Sequence, residues 1–488
     1  MKLGRNIFGV GLMTGISRIF GFIRDMLIAR FLGAGRLSDI FLAAFRLPNL
    51  FRDLLGEGAI SAIFIPMYTD MKKDEGFAKN VFSWLMLILL CITAVFEIAM
   101  PLVIWALAPG FAEDPGKMQM TVIIARIMFF YCIFICGSAF LSAILNAHSR
   151  FLLAAFMPVM LNIMLIIALA SSLLYGNGII LYVMAGTVVL SGIVQFLILL
   201  ARIRQKHFGL RLVIPHWNGQ IKNMFKRFLV SLVGSGFYQI TIIVGTLVAS
   251  FQSGAVSWLY YSDRIIQLPF AMIGLAVGTV LMSSISNALA DKNMRSIYIQ
   301  QNYSMRRSMM LIIPCVVGLF VLAEPIIRFL FQYGAWTSES THAVAMAIKI
   351  QCLVLPAMLI SQIYSKTLYA SQDVNTPVRT SMVSLAIATF VYIALFPVIG
   401  YLSIPVGVVI SGYVKNYLLG RVCRKRQLVK TDKKTFMSFA AFTVISVALG
   451  GALYLFNITS VLSLILAICG FGILYLPTAF IIDRYIIK

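Results

Sequence analysis

Arginine and carboxylate side chains occur inside hydrophobic segments of this chain, where apolar residues would be expected. Arg18, Arg24 and Asp25 lie in the first such segment, and Asp263 and Arg264 lie in the eighth. Ionisable groups inside a membrane helix are costly, so they pair with one another or face a water-filled cavity. A guanidinium donates two parallel hydrogen bonds to a carboxylate or a phosphate, whereas lysine is a point charge. These residue types indicate either buried ion pairs or a hydrated site for an anion such as a diphosphate.

The second hydrophobic segment gathers polar residues on one face of a predicted helix. At about 100° per residue, Asp39, Asp53 and Glu57 fall within about 20° of Arg46, and Asn49 lies about 60° away. With a rise of about 1.5 Å per residue, this face extends over about 27 Å. The spacing predicts a polar stripe along most of one membrane-spanning helix.

Glycines beside these charges predict places where the helices bend. Gly15 and Gly21 lie in the first segment, and Gly56 and Gly58 lie near the end of the polar stripe in the second. Glycine adds backbone freedom, and helices often kink where it occurs. We expect these four positions to act as hinges.

Two interpretations of the buried charges are open at this point. In the plainer one, the charges cancel as ion pairs within the following set: Arg18, Arg24, Arg46, Arg52, Arg264, Asp25, Asp39, Asp53, Glu57 and Asp263. Buried ion pairs seldom stabilise a protein more than apolar residues of similar volume would. Their concentration in only three segments therefore favours a hydrated cavity, in which Asp25 and Asp39 hold the guanidinium groups in place.

The composition identifies the environment in which these charges sit. Of 488 residues, 60% are hydrophobic and 12% are charged, and the mean hydropathy is +0.94. A soluble domain is roughly 45–50% apolar and about 25% charged. A cytosolic enzyme, a disordered chain and a disulfide-rich secreted domain are therefore excluded, and the sequence indicates a polytopic membrane protein.

The hydrophobic pattern predicts an all-α membrane protein with about fourteen transmembrane helices, each of about 20 residues. The predicted spans are 7–31, 38–69, 81–108, 119–145, 151–173, 179–201, 228–249, 255–289, 308–330, 341–369, 377–397, 403–420, 435–456 and 461–483. The connections between them are short, so no large domain is expected outside the membrane.

Positive charge predicts the orientation of these helices. The chain has 40 Lys and Arg against 17 Asp and Glu, a net charge of +23. Most of the basic residues outside the helices collect on the face that carries both termini, whereas Arg36 and Lys117 lie in loops of the opposite face. Cytoplasmic loops are enriched in Lys and Arg. We therefore expect cytoplasmic termini, and the net charge requires no nucleic-acid partner.

Two basic linkers divide the predicted helices into groups of six, six and two. The expected domains are an N-terminal lobe (1–205), a second lobe (218–425) and a final helix pair (434–488). Two lobes of six helices in the same orientation are an arrangement typical of an alternating-access transporter.

No motif for catalysis, metal or cofactor binding is found. The sequence has no phosphate-binding loop, no nucleophile elbow and no paired-histidine metal motif. We predict a transporter that is not an enzyme and that needs no cofactor or metal.

The first 70 residues resemble the MurJ (MviN) family of lipid II flippases, within the multidrug/oligosaccharidyl-lipid/polysaccharide exporter superfamily. The matching stretches there are Ser17–Asp25, Gly33–Gly35, Asp39–Phe41, Ala44–Arg52, Glu57–Ala59 and Phe64–Pro66. Later matches are Leu145–Ala147, Asp263–Arg264, Leu268–Pro269 and Leu368–Ala370.

This resemblance implies a function, a shape and a set of site residues. It implies that lipid II, the undecaprenyl-pyrophosphate-linked disaccharide-pentapeptide of peptidoglycan synthesis, crosses from the inner to the outer leaflet of the cytoplasmic membrane. It also implies two lobes in a V around a cationic cavity, with a groove for the lipid tail in the final helix pair. The substrate-binding positions that it implies are Arg18, Arg24, Asp39 and Arg264, followed by Ser17, Asp25, Asn49, Arg52 and Glu57.

Alternatives to this function stay open on the sequence. A drug or cation exporter, or another polysaccharide-lipid exporter of the superfamily, would share the fold, although a cationic cargo favours acids over arginine. A membrane-embedded transferase is disfavoured because the outer loops are short. Membrane lipids are expected partners, and a coupling cation is left open because some relatives of this family bind one.

Overall fold

The computed structural model describes residues 2–54, 60–172, 178–206, 208–290, 293–456 and 458–487. Within these ranges the chain is all-helical, with 17 α-helices and no strand, which confirms the predicted fold class. The predicted site residue Glu57 and the predicted hinges Gly56 and Gly58 lie outside the described residues.

Long helices separated by short turns make up both halves of the chain. The helices of the first half are α1 (Lys2–Leu32), α2 (Arg36–Phe51), α3 (Ile60–Asp70), α4 (Glu75–Leu107), α5 (Pro115–Phe129), α6 (Tyr131–Ala147), α7 (Phe151–Ser171), α8 (Ile180–Gln205) and α9 (Gly219–Ala249). Those of the second half are α10 (Ala255–Ala290), α11 (Met294–Phe331), α12 (Ser338–Gln351), α13 (Leu355–Ala370), α14 (Asn375–Ile399), α15 (Ser403–Lys425), α16 (Lys433–Tyr454) and α17 (Val461–Ile487).

Three spans that the sequence predicted as single helices each contain two. The span 38–69 contains α2 and α3, with a π-helical turn over residues 52–54 directly after α2. The span 119–145 is interrupted at Phe130, between α5 and α6. The span 341–369 is interrupted by the 3₁₀ turn Cys352–Val354, after which a proline opens α13. Proline lacks the N–H that would continue the preceding helix, so it favours a new start here.

Nine helical segments of the described chain are long and apolar enough to cross a membrane. This finding agrees with a multi-pass membrane protein. The count of about fourteen spans, the V-shaped arrangement of two lobes and the domain limits 1–205, 218–425 and 434–488 stay predictions.

The chain forms two compact units. Unit 1 extends to Val256 and includes Tyr333–Trp336. Within it, α1 packs against α7, α2 against α5, α6 against α8, and α9 against α3 and α4. An aromatic cluster fills the space between α3, α4 and α6, where the Phe140 ring lies 4.6 Å from that of Phe64 and 5.6 Å from that of Phe82. The contacts of α1 with α7 and of α2 with α5 position the two helices of this unit that carry predicted site residues.

The short segment Tyr333–Trp336 completes one end of α1. The Ala335 N–H donates to the Arg30 carbonyl oxygen at 2.8 Å. Gly33, which follows α1 directly, has a φ of +68°, and a Cβ there would lie 2.5 Å from the Ala335 oxygen. Glycine is required at this turn both for its left-handed backbone and for the close approach.

Unit 2 comprises Ser257–Gln332 and Thr337–Lys488. Here α14 packs against α15, α13 against α15, α11 against α12 and α16, and α16 against α17. Buried apolar residues of four helices meet in its core: Ile285, Ile297, Ile363 and Leu419.

Candidate functional site

Arg24 forms the most completely bonded charged cluster of α1. Its guanidinium donates from Nη2 and Nε to one oxygen of Asp25, at 2.7 and 3.1 Å. Nη1 donates to the side-chain oxygen of Asn162 on α7 at 2.8 Å. Arg24 is 7% exposed and Asp25 is 2% exposed. The predicted contact, in which Asp25 holds this guanidinium, is confirmed.

Asn162 was not predicted from the sequence, although it organises this cluster. Besides accepting from Arg24, its amide donates to the Ser17 carbonyl oxygen at 3.2 Å. Gly21 lies beside it, and a Cβ there would be at ordinary contact distance, 3.4 Å from the amide nitrogen. A lone amide in the otherwise apolar stretch 151–170 was the available signal. The amide joins α1 to α7 at the level of the charged pair.

Arg18 is set differently from Arg24, although both lie on α1. Its side chain is exposed, and among the described residues it makes no hydrogen bond or ion pair. Gly15, on the same helix, has open space where a Cβ would be. This face of α1 therefore presents a guanidinium whose donors are available.

The polar residues at the end of α2 contact α9. Nη1 of Arg46 donates to the Ile242 carbonyl oxygen at 3.3 Å. Asp53 accepts from Arg52 at 3.0 Å and from the Gln239 amide at 3.1 Å. The predicted polar stripe therefore partly serves helix packing within unit 1.

Asn49 belongs to the same stripe but has no such contact in the part of the chain described. Its side-chain oxygen is buried and has no hydrogen-bond partner there. A buried, unpaired carbonyl oxygen is unusual and fits a place where a water or a ligand donor binds.

Asp39 is fully buried and has an ion partner that was not predicted. The Lys117 ammonium lies 2.8 Å from its Oδ2, and the Gly254 N–H donates to the same oxygen at 2.8 Å. The ammonium also lies 3.9 Å from the centre of the Phe111 ring. Lys117 is 5% exposed and lies in the first turn of α5 rather than in a loop, while the face of the membrane on which it lies stays a prediction. The ion partner that Asp39 steadies is this lysine, while its role in substrate binding stays a prediction.

Unit 2 carries the remaining predicted arginine. Nη2 of Arg264 donates to the Tyr260 hydroxyl at 2.8 Å, and the guanidinium carbon lies 4.8 Å from the centre of that ring. The neighbouring Asp263 accepts from the Gln351 amide, which in turn accepts from Ser262 at 3.0 Å. Tyr260 and Gln351 were not identified from the sequence. Tyr260 lies one helical turn from Arg264 and Gln351 lies 88 residues from Asp263, and neither residue is charged, so a search for ionisable residues does not find them.

The geometry favours neither early interpretation alone. Arg24–Asp25 and Arg52–Asp53 are ion pairs, as mutual pairing predicts, whereas Asp39 pairs with Lys117, which lies outside the predicted set. Arg18 and the Asn49 oxygen keep unused hydrogen-bonding capacity within the described chain, as a ligand site requires. In that same part of the chain, no group of three or more His, Cys, Asp or Glu side chains could hold a metal ion.

Comparisons with known proteins were made for the sequence and for the fold. A family model described as "Lipid II flippase MurJ" matches residues 28–470. The "Probable lipid II flippase MurJ" of Rhizobium tropici is 32% identical over 462 residues, which cover 93% of this chain and 87% of that protein. The protein of the same name from Rhizobium meliloti (strain 1021) is 35% identical over 428 residues, which cover 86% and 80% of the two chains.

Solved structures share the fold. A structure titled "Lipid II flippase MurJ, inward closed conformation" superposes with a TM-score of 0.85 at 24% identity and covers 98% of this chain and 99% of that one. An inward-facing multidrug resistance MATE family transporter superposes with a TM-score of 0.71 at 16% identity, covering 84% and 94%. At these identities the likeness is one of fold.

Proposed function

Because this chain belongs to the MurJ family of lipid II flippases, we propose that it moves lipid II from the inner to the outer leaflet of the cytoplasmic membrane. It is a multi-pass inner-membrane transporter rather than an enzyme. The alternative of a drug or cation exporter is not favoured, since only fold likeness connects the chain with such proteins. The observation that carries the proposal is the Arg24 guanidinium, buried in α1 and held by Asp25 and Asn162.

The chemistry of the substrate explains why such a group is needed. The polyprenyl tail can stay in the bilayer, because moving it into water would cost about 0.8 kcal/mol per CH₂. The diphosphate and its sugar-peptide head must instead cross about 30 Å of hydrocarbon. Fixed guanidinium groups replace the water and counterions that a diphosphate loses on the way.

Three arginines each contribute to binding the diphosphate. Arg18, exposed on α1, makes the first contact with the diphosphate. Arg24 is held by Asp25 and Asn162, so its positive charge stays neutralised until a stronger acceptor replaces the carboxylate. Arg264, steadied by Tyr260, contributes the cationic group of unit 2. Supporting positions are Ser17, Asp25, Asp39, Asn49, Arg52 and Glu57.

Transport proceeds by alternating access, with bending at Gly15, Gly21, Gly56 and Gly58. Within the described part of the chain, no atom lies within 4 Å of where a Cβ of Gly15 would be, so α1 can change its curvature there without a clash. We place both termini in the cytoplasm and assign the lipid tail to residues 434–488. A coupling cation is not required by this scheme.

A leaflet-specific assay tests the proposal. Lipid II is incorporated into proteoliposomes, and its head group is detected on each side for the wild type and for Arg24→Ala and Arg264→Ala. We expect both variants to insert normally and to lose at least about 90% of the transport, since each removes charge that must accompany the diphosphate. Arg379→Ala, an exposed arginine of α14, is the matched control and should transport normally. Full transport by Arg24→Ala and Arg264→Ala would refute the proposal.

A further inference from the structure

Two extended basic linkers join helices in this chain. Large apolar side chains of the first are exposed, whereas apolar side chains of the second are buried. The first linker (208–218) leads from α8 to α9, and the second linker (426–432) leads from α15 to α16. The first has 11 residues and the second has seven, but each joins two helices and has a formal net charge of +1, so each serves as a reference for the other.

The first linker is fixed in place by side chains of α4. The Val213 N–H donates to the Ser83 hydroxyl at 2.9 Å. The His216 N–H donates to the Asn80 side-chain oxygen, and the Asn80 amide donates back to the His216 carbonyl oxygen, both at 2.8 Å. The Trp84 indole N–H also donates to that carbonyl at 3.3 Å. The exposed face of this linker is therefore held in one orientation.

That orientation turns three large apolar side chains outward. Leu212 is 64% exposed, Ile214 is 81% exposed and Trp217 is 58% exposed. The Trp217 ring contacts the edge of Trp84, with the ring centres 5.5 Å apart, so its position is fixed as well. Apolar side chains gathered on a surface mark contact with a partner protein or a membrane.

Positive charge surrounds these side chains. Exposed basic residues precede, interrupt and follow the linker: Arg202, Arg204, Lys206, Arg211, Lys222, Lys226 and Arg227. The sequence has no Asp or Glu between Asp114 and Asp263. Glu75 of α4 is an acidic residue next to the linker. It lies against Gly209 and pairs with Lys79 at 3.1 Å. The charge around Trp217 thus strongly favours an anionic partner.

The second linker is docked on the protein instead. Its apolar residues Leu428 and Val429 are 9% and 5% exposed. Asn302 of α11 donates to the Lys430 carbonyl oxygen at 2.7 Å and accepts from the Asp432 N–H at 3.1 Å. Similar basic composition therefore does not by itself produce an exposed apolar surface.

Ion pairs also use part of the charge of the second linker. Arg426 lies 2.7 Å from Asp373. Burial alone would raise the pKa of Asp373, but hydrogen bonds from the Thr376 hydroxyl and backbone, together with Arg426, lower it. Asp432 accepts from Thr435 N–H and lies 3.5 Å from Arg306.

We propose that the first linker, together with the first two turns of α9, is a binding surface for anionic phospholipid headgroups of the inner leaflet. Leu212, Ile214 and Trp217 enter the boundary between headgroups and acyl chains, where tryptophan is favoured. The surrounding Lys and Arg side chains bind the lipid phosphates, as juxtamembrane basic clusters do. A membrane fits the pattern better than a protein partner, because the apolar side chains lie among mostly basic residues beside helices that are long and apolar enough to cross a membrane. The proposal rests on the cytoplasmic placement of this linker and not on the transport of lipid II.

The test uses the full-length protein in nanodiscs and follows quenching of Trp217 fluorescence. Quenching by brominated phosphatidylglycerol is compared with quenching by brominated phosphatidylcholine, and Trp217→Phe defines the signal of this ring. We expect phosphatidylglycerol to be enriched at Trp217. The combined change Arg211→Gln/Lys222→Gln/Lys226→Gln/Arg227→Gln should weaken that preference at least about tenfold, since each charge contributes separately near an anionic surface.

A matched set near the second linker is the control. Arg421→Gln/Arg424→Gln/Lys425→Gln/Lys430→Gln removes the same charge and should leave the preference at Trp217 unchanged. Equal quenching by the two lipids in the wild type, or an equal loss in the control, would overturn the proposal and point to a protein partner or to non-specific charge. Arg24→Ala, which stops transport, should keep the lipid preference, so failure of this proposal is distinguishable from failure of the flippase assignment.

Discussion

Unit 1 contains two buried ion pairs that differ in construction. Arg24 and Asp25 are neighbours on one helix, and the guanidinium is completed by a single amide from α7. Asp39 and Lys117 are 78 residues apart, and a backbone N–H of Gly254 completes the carboxylate. The Asp39 pair thus joins the starts of α2 and α5 to the turn before α10. A charge tied into several chain segments holds the fold together, whereas a pair within one helix can exchange partners without moving the chain.

We expect the largest difference between the two ion pairs in what each contributes to the free energy of unfolding. We expect Lys117→Met to lower the free energy of unfolding by about 3–5 kcal/mol, because the buried Asp39 carboxylate loses its counter-ion. The midpoint of thermal unfolding in detergent measures the effect. Asp39→Leu/Lys117→Met should recover most of the loss, since it buries no charge. An unchanged midpoint for Lys117→Met would remove the distinction between the two pairs.

A smaller effect is expected at the amide that completes the other pair. Asn162→Ala removes the acceptor of Arg24 and the donor to Ser17, so it should cost about 1–3 kcal/mol. It should also slow transport severalfold, because the guanidinium then loses the acceptor that joins it to α7. Ser171→Ala, in the last turn of the same helix, is the control for unfolding and for flipping of lipid II. If Asn162→Ala flips at the wild-type rate, the amide serves only to pack α7 against α1.

An ion pair at the protein surface gives the lower limit of this series. Asp373 and Arg426 lie 2.7 Å apart, but the Arg426 side chain is about half exposed. Arg426→Gln should therefore cost only about 0.2–1 kcal/mol. Because the pKa of folded Asp373 is lowered from 3.8, its stabilising effect is present above that value and is lost as the pH falls through the lower folded pKa. Thermal unfolding from pH 7 to pH 3 should show the difference between wild type and variant shrinking below pH 4. A difference that grows with acidity would contradict this.

Part of this architecture could be predicted from local patterns in the sequence. The apolar runs correctly indicated an all-helical membrane protein, and the expectation that Asp25 holds a guanidinium is confirmed for Arg24. The interruption at Phe130 was not visible, because no proline or glycine occurs there and the break depends on how α5 and α6 pack. Asn162 and Lys117 were missed because their partners lie 138 and 78 residues away.

A substitution at Arg18, about two turns before Arg24, should reduce transport strongly while leaving stability almost unchanged. Its side chain is exposed and bonds to none of the described residues, so Arg18→Gln should change the free energy of unfolding by less than about 0.5 kcal/mol. Transport should nevertheless fall at least about tenfold, because the diphosphate loses the guanidinium whose donors are available when it arrives. Arg18→Lys should restore part of the rate, since charge alone is retained without the planar fork. Flipping of lipid II in proteoliposomes, measured beside the unfolding midpoint, checks both halves. Normal transport by Arg18→Gln would contradict this prediction. It would mean that the substrate first contacts a group already held by the protein, and that the difference in hydrogen bonding between Arg18 and Arg24 has no functional meaning.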